Sequence, residues 1–224
     1  MVDSSEILYE DAWMLLANKP AGIPIHETKD PNRKDFTRHL QLKYNFPTLR
    51  TVNRLDLSTS GIVVMGKDPT KNAEIDSLML DAEKKYIFIA EGVPEWKDKT
   101  FSCFIKDGNK KVTVVRSGGK KAITVLKVLE VDVRNNRFLG EATLITGRRH
   151  QIRISLATLG HPIYGDVNYG SKCPPNIAMY LHSYQFKFRT LLGQSVTITC
   201  APPESFQTIF LVAGSLFSNL SVWH

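Results

Sequence analysis

The sequence predicts an α+β fold with a mostly antiparallel sheet. Short apolar runs rich in β-branched and aromatic residues recur along the 224-residue chain, whereas helical periodicity is confined to a few short segments. Hydrophobic residues make up 42% of the chain, which suffices for a packed core and argues against general disorder. The length fits one domain of ordinary size.

Strands are predicted from apolar runs bounded by turn-forming residues. In chain order these runs are 7–11, 13–17, 62–65, 84–91, 123–133, 138–145, 186–188 and 196–199. The runs 123–133 and 138–145 are separated by Arg134-Asn135-Asn136-Arg137, so we expect them to form a hairpin. The run 62–65 follows a turn signature and is apolar throughout, which predicts a buried strand.

Helices are predicted at four places. Residues 36–44 carry apolar side chains at every fourth position, and Pro47 lies just beyond them, as is common after a helix end. Residues 70–82 have a partly apolar face, and residues 147–157 predict the start of a third helix. The apolar run 209–214 is too short to span a bilayer and is assigned to a closing helix.

The chain is basic, with a formal net charge of +7 and a pI of about 9.3. This favours an anionic partner, with nucleic acid ahead of membrane. Residues 99–121 contain only one acidic residue, Asp107, among seven basic ones. The basic residues are Lys99, Lys106, Lys110, Lys111, Arg116, Lys120 and Lys121. A solvated hairpin and an RNA-facing patch are both consistent with this stretch.

The three cysteines indicate a reducing compartment. Cys103, Cys173 and Cys200 lie far apart and show neither a metal-binding spacing nor a disulfide framework. Reduced thiols fit a cytoplasmic protein. The first six residues are acidic and polar, unlike a signal peptide.

A single carboxylate, Asp56, lies two residues after Arg54 and just before the turn-forming run Ser58-Thr59-Ser60-Gly61. A lone aspartate before a turn is usually a cap for the backbone, so this pattern alone favours a structural role. Its interpretation therefore depends on what accompanies it elsewhere in the chain.

Two further ionisable residues have both structural and functional interpretations. Tyr86 lies in a predicted strand after Lys84 and Lys85, where an ordinary half-buried tyrosine is the simpler interpretation. Arg153 follows the polar run 148–151, and such runs are commonly solvated. Its position after Gly147 and beside apolar residues favours a helix start that binds phosphate or carboxylate.

Together these segments resemble the RluA family of RNA pseudouridine synthases. The motifs, in family order, are Asn18-Lys19-Pro20-Ala21-Gly22, Arg54-Leu55-Asp56 with Thr59-Ser60-Gly61, Lys85-Tyr86, Gly147-Arg148-Arg149-His150-Gln151-Ile152-Arg153, Gly160-His161-Pro162-Ile163 with Gly165-Asp166, and Leu181-His182. The resemblance runs from residue 7 to residue 203. Any one motif is a weak signal, whereas their agreement is a strong one.

The resemblance implies a mixed, largely antiparallel sheet with flanking helices and a central catalytic cleft. It implies a single catalytic domain over residues 1–224, with its core at 7–203 and no separate N-terminal RNA-binding module. The implied activity is isomerisation of specific uridines in ribosomal RNA or tRNA to pseudouridine. We expect a monomer whose partner is RNA and which does not bind membranes.

The resemblance also implies roles for individual residues. Asp56 is the catalytic aspartate, Tyr86 stacks on the target base and assists proton transfer at its C5, and Arg153 pairs with the aspartate. Arg54 matches an arginine that fills the space left by an extruded base, and Leu181 matches an apolar residue that lines the pocket.

Further RNA contacts are expected from the arginine-rich motif and from the basic stretch. They are Arg148, His150, Gln151, Lys110, Lys111, Lys120 and Lys121. Lysine and arginine on such surfaces bind phosphates and do not choose the base.

The implied chemistry involves neither redox change nor hydrolysis, so we expect no metal and no organic cofactor. Two positions depart from the family pattern: Asn53 and Ser155 each stand where the family has histidine. The alternative function is a non-catalytic RNA-binding protein on the same scaffold, against which the intact Asp56, Tyr86 and Arg153 argue.

Overall fold

The computed structural model describes residues 6–26, 35–109 and 111–210. Their contacts divide the chain into two compact units. The first unit contains the described residues up to Lys84 together with Ser183–Ala201. The second contains Lys85–His182 and the described residues from Pro202 onward.

Eleven strands and four α-helices are present in the described part of the chain. The strands are β1 Ile7–Glu10, β2 Met14–Lys19, β3 Arg50–Thr51, β4 Ser60–Gly66, β5 Glu83–Glu91, β6 Asp98–Asp107, β7 Val112–Val115, β8 Lys120–Asp132, β9 Arg137–Leu144, β10 Leu181–Arg189 and β11 Ser195–Thr199. The helices are α1 Phe36–Tyr44, α2 Asn72–Leu80, α3 Gln151–Thr158 and α4 Glu204–Ile209. Short 3₁₀ helices span Pro69–Lys71 and Val167–Tyr169.

The first unit is a sheet in the order β1-β2-β4-β10-β11, with β3 also paired to β4. The pairs β1–β2, β2–β4, β3–β4 and β10–β11 are antiparallel. Apolar side chains from β2, β4, β10 and α2 form its core, which includes Met14, Ile62, Ile75 and Phe186. All seven residues of β4 are buried, as predicted for this run.

The second unit is a sheet in the order β5-β9-β8-β6-β7, and its pairings are antiparallel. Phe138 on β9 packs edge-to-face on Phe88 of β5, with ring centroids 5.7 Å apart, and on Trp96 at 6.0 Å. The edge-to-face arrangement is the one that aromatic quadrupoles favour. This packing fixes β9 against β5, the strand that carries Tyr86.

Gly61 is required at the point where the Asp56 segment enters β4. Its φ is +105°, and a Cβ at this position would lie 2.2 Å from the backbone oxygen of Ser183 on β10. Only glycine combines the positive φ with such a close approach of two strands. The short chain from Asp56 to Gly61 is thus fixed at its far end by the sheet.

Most predicted elements are confirmed, and the α+β class is confirmed with them. Helix α1 covers the predicted residues 36–44, and β8 and β9 form the predicted hairpin. No strand was predicted at β3, and β6 and β7 were covered only by the solvated-hairpin interpretation of residues 99–121. Helix α4 ends at Ile209, and residues 211–214 of the predicted closing helix lie outside the described residues.

Within the described residues, no helix combines the length and the apolar character that crossing a bilayer requires.

Candidate functional site

The segment that carries Asp56 is held by hydrogen bonds to the end of β2. The carbonyl of Leu57 accepts bonds from the backbone N–H of Gly22 at 2.8 Å and from Nζ of Lys19 at 3.4 Å. The N–H of Thr59 donates to the carbonyl of Asp56 at 3.1 Å, which closes a tight turn. Asp56 itself is half-buried. The backbone that follows it is therefore fixed.

Lys19 is an unusual feature of this segment, because its side chain is 0% exposed. Besides Leu57, its Nζ donates to the carbonyls of Pro20 at 2.8 Å and Ile23 at 2.9 Å. Burial lowers the pKa of Lys19 to about 8, and the negative charge of Asp56 partly opposes this shift. The ammonium thus both ties the turn together and places positive charge near the Asp56 carboxylate.

Asn53 replaces the family histidine and has a structural contact. Its Oδ1 accepts a hydrogen bond from the backbone N–H of Val64 on β4 at 2.6 Å. This contact fixes the chain just before Arg54, whose side chain is exposed. An exposed arginine on an anchored loop is compatible with the gap-filling role that the resemblance implies, and that role stays a prediction.

Tyr86 lies in β5 opposite Ala142 of β9 and is 7% exposed. It follows Lys85, whose Nζ is 3.4 Å from a carboxylate oxygen of Glu141 on β9. The strand therefore places Tyr86 on the side of the sheet opposite to this ion pair, since side chains alternate along a strand.

Arg153 lies in the first turn of α3 and forms a side-on ion pair with Asp166. Its Nε donates to Oδ2 of Asp166 at 2.7 Å, and its Nη2 donates to Oδ1 at 2.9 Å. The two side chains are 5% and 2% exposed. Two parallel, charge-assisted hydrogen bonds fix the plane and direction of the guanidinium.

The chain around Asp166 is itself rigid. Gly165 has a φ of +91°, and a Cβ on it would lie 2.1 Å from the backbone oxygen of Ala178. The carbonyl of Asp166 accepts bonds from the N–H groups of Tyr169 and Ser171 at 3.0 and 3.1 Å. The carboxylate that orients Arg153 is therefore presented from an anchored turn.

Gln151 was predicted to contact RNA, but its amide is fully used inside the protein. Its Oε1 accepts from the Thr146 hydroxyl and the Arg148 N–H, and its Nε2 donates to the Ile123 carbonyl and the Thr124 hydroxyl. The residue is 2% exposed. These bonds fasten the start of α3 to β8, so Gln151 is left out of the RNA surface proposed below.

Ser155, the second departure from the family pattern, is also buried on α3. Its hydroxyl lies 3.3 Å from the hydroxyl of Thr124 on β8. A histidine would be too large for this position without rearrangement of the neighbouring strand.

The described part of the basic stretch forms a β-hairpin, which we call the basic hairpin and define as residues 104–109 and 111–121. Within it, β6 and β7 are paired from Phe104–Val115 to Asp107–Val112. Lys111, Lys120 and Lys121 are exposed, whereas Lys110 lies outside the described residues. The hairpin structure agrees with the solvated-hairpin interpretation, and contact with RNA stays a prediction.

Arg148 and Arg149 are exposed beside the basic hairpin and bond to its backbone. Nε of Arg148 donates to the carbonyl of Lys121 at 3.2 Å, and Nη1 of Arg149 donates to the carbonyl of Gly108 at 2.9 Å. A hollow of about 150 Å³ lies between these side chains. Its lining is Ile105, Asp107, Lys120, Gly147, Arg148 and Arg149.

The remaining predicted residues have the following positions. His150 precedes α3 with a left-handed φ of +52° and is partly exposed, and Leu181 is buried at the start of β10. The second unit thus brings Arg148, His150 and Arg153 together around the start of α3.

Lys19 and Asp166 had no predicted role, although both lie in motifs that carry the family resemblance. For Lys19 the sequence contains a signal of burial, because a lysine at the end of an apolar strand and before a proline has little access to water. For Asp166, a second acidic residue among motif residues indicated a partner for an arginine.

A family model for RNA pseudouridylate synthase matches residues 14–158. An uncharacterised RNA pseudouridine synthase of Bacillus subtilis is 38% identical over 176 residues, which cover 74% of this chain and 57% of the relative. Ribosomal large subunit pseudouridine synthase D of Neisseria meningitidis is 29% identical over 244 positions, which cover 96% of this chain and 64% of the relative. The chain therefore spans less than two thirds of the length of these relatives.

Two solved human structures share the fold. Human RNA pseudouridylate synthase domain containing 4 has a TM-score of 0.73 and 24% identity, and the match covers 89% of each chain. Human RNA pseudouridylate synthase domain containing 1 also has a TM-score of 0.73, with 25% identity over 91% of this chain and 85% of that chain.

The buried Lys19 predicts a specific pH dependence of stability. The unfolded chain keeps this proton up to a pKa of about 10.4, whereas the folded protein loses it near pH 8. Between these values the unfolded state binds more protons, so the free energy of unfolding contributed by Lys19 rises with pH. Relative to Lys19→Met, the wild type should gain up to about 3 kcal/mol between pH 8 and pH 10.5.

The measurement is urea unfolding of both proteins across this pH range. Lys97→Met, at an exposed lysine, is the matched control and should track the wild type. A difference between wild type and Lys19→Met that stays constant with pH would contradict the shifted pKa.

Proposed function

Since the chain belongs to the RNA pseudouridine synthase family, we propose that it converts uridine to pseudouridine in RNA. The observation that carries the proposal is the buried pairing of Arg153 with Asp166 at the start of α3, beside exposed cationic side chains. A structural protein gains little from a buried ion pair that apolar residues could replace. A site that must orient a charged group needs such a pair.

Asp56 is the proposed catalytic group. In the reaction the bond between N1 of uracil and C1′ of ribose breaks, the uracil turns, and C5 bonds to C1′. The C5 proton is then lost and N1 gains one, so the product has the same atoms as the substrate. A carboxylate can promote the first step either by attacking C1′ or by removing a proton from the sugar. The anchored turn holds the carboxylate in a fixed position, near the positive charge of the Lys19 ammonium.

Arg153 and Tyr86 have complementary proposed roles. The proposed role of Arg153 is to pair with the Asp56 carboxylate in the reacting complex and orient it, while within its own unit Asp166 accepts hydrogen bonds from Nε and Nη2 of the same guanidinium. Tyr86 stacks on the uracil, so that the detached base stays in place while it turns. Its hydroxyl assists the loss of the C5 proton.

RNA is proposed to bind through exposed cations at the basic hairpin and the start of α3. Phosphate contacts from Lys111, Lys120, Lys121 and Arg148 supply affinity without selecting a sequence. The target uridine leaves its stack, which costs a few kcal/mol, and Arg54 fills the gap. Because a named relative is a ribosomal large subunit pseudouridine synthase, we propose ribosomal RNA as the substrate class, ahead of tRNA.

A non-catalytic RNA-binding protein is the alternative, and no specific feature of the structure favours it. Cytoplasmic location and a monomeric state stay predictions.

Asp56→Asn is expected to lower the single-turnover rate by more than about a thousandfold, because an amide is neither a nucleophile nor a base at neutral pH. RNA affinity and melting temperature should stay close to wild type. The assay digests ribosomal RNA to nucleosides after incubation and separates pseudouridine from uridine by chromatography. Asp81→Asn, at the exposed C-cap of α2, is the matched control. A residual rate within tenfold of wild type would exclude Asp56 as the catalytic group.

Replacing Lys111, Lys120 and Lys121 together by Gln is expected to weaken RNA binding and to flatten its salt dependence. The slope of log K against log salt should decrease in magnitude by roughly 2, at about 0.7 to 0.9 per lost phosphate contact. The turnover rate at saturating RNA should stay near wild type, because phosphate contacts are made equally in ground and transition states. The measurement is fluorescence anisotropy with a labelled stem-loop at several salt concentrations.

The matched control replaces three exposed lysines outside the basic hairpin, Lys97, Lys127 and Lys187, by Gln. This control removes the same net charge. Equal slopes for the two triple variants would contradict RNA binding by the basic hairpin and would support its interpretation as a solvated surface.

A further inference from the structure

Tyr169, at the end of the short 3₁₀ helix, contacts Arg153 with its ring. The guanidinium carbon of Arg153 lies 4.9 Å from the centroid of the tyrosine ring. This is the distance of a cation–π contact. The bonds to Asp166 fix the edge of the guanidinium, and the ring of Tyr169 supports its face.

The hydroxyl of the same tyrosine contacts the basic hairpin. It accepts a hydrogen bond from the backbone N–H of Val112 at 2.8 Å and lies 3.4 Å from the carbonyl of that residue. It also lies 2.9 Å from Nδ1 of His150. Val112 is the first residue of β7 and directly follows the exposed Lys111, so the tyrosine holds the strand next to an exposed cation.

Apolar packing places the hairpin against the same helix. Ile105, Val112 and Ala122 form a small buried cluster, and Ile154 of α3 packs against it. Ile154 is the residue after Arg153. The start of β7 and the first turn of α3 are therefore linked by both polar and apolar side chains.

We propose that Tyr169 is a positioning residue that holds Arg153 and the basic hairpin in one arrangement. Its ring keeps the guanidinium in the plane set by Asp166, and its hydroxyl keeps the lysine-bearing strand at a fixed distance from that arginine. This rests on the proposed function, since it gives the arginine a part in catalysis and the hairpin a part in RNA binding. RNA bound to the hairpin is then held in register with Arg153.

Two substitutions at Tyr169 separate these contributions. Tyr169→Phe keeps the ring and removes the hydroxyl. The half-saturating RNA concentration should rise about fivefold, which is the effect expected when one hydrogen bond that positions the basic hairpin is lost. The rate constant at saturation should fall by no more than about threefold. Tyr169→Leu also removes the ring, so the rate constant at saturation should fall at least about tenfold, because the guanidinium loses its alignment.

Tyr164→Phe is the matched control, because Tyr164 lies in the same segment and its ring packs on Tyr180. Rates are measured where circular dichroism shows each variant to be folded. A merely structural tyrosine would lower the melting temperature of the variants and leave the rate constant at saturation unchanged. That result, or an equal loss of rate constant in the Phe and Leu variants, would overturn the proposal.

A second readout does not depend on activity. Nuclear magnetic resonance follows the Nε–H of Arg153, which is buried and bonded to Asp166, and the amide of Val112. Exchange with solvent should accelerate at the Val112 amide in both variants, and at the Arg153 Nε–H in Tyr169→Leu only. If the wild type makes no pseudouridine, the proposed function fails while this readout still decides the positioning role. Unchanged exchange at both groups would then overturn it.

Discussion

The second unit depends on one interaction, the buried ion pair between Arg153 and Asp166. Both side chains are nearly inaccessible to water, so either charge without the other would carry a large desolvation penalty. The pair therefore requires that α3 and the turn at Asp166 stay together. The position of Tyr169 depends on this constraint, because the turn that carries Asp166 also places the tyrosine ring against the face of the Arg153 guanidinium. In the first unit, the buried Lys19 joins the Asp56 turn to the loop after β2, because it bonds to the Leu57 carbonyl and to the carbonyls of Pro20 and Ile23.

Much of the fold could be predicted from the sequence, because β4 and the β8–β9 hairpin show strong local patterns. Along β6 the residues Phe101, Cys103 and Ile105 share the less exposed face, but the surrounding lysines led to an interpretation of this stretch by its charge, and no separate strand was predicted. The hydrogen bonds of Gln151 could not be predicted either, because its partners lie on β8 and in the preceding loop. A motif identifies a residue type, whereas burial and partners depend on the packed structure.

The candidate site residues are fixed within their own units. Asp56 is carried by a turn fixed at Gly61, and Arg153 is fixed by Asp166, so neither group needs to be ordered by the substrate. The described lysines of the basic hairpin, Lys111, Lys120 and Lys121, are exposed. The groups assigned to chemistry are thus fixed by hydrogen bonds or backbone packing, whereas those assigned to RNA binding lie on the surface.

The most direct test is a double-mutant cycle on the buried pair, read out as the free energy of unfolding in urea. Arg153→Met and Asp166→Leu should each destabilise the protein by about 3–5 kcal/mol, because each leaves a buried charge without its partner. The double variant should be no less stable than either single one, so the coupling energy should exceed about 2 kcal/mol. Additive losses, with a coupling energy below about 0.5 kcal/mol, would contradict the central role given to this pair.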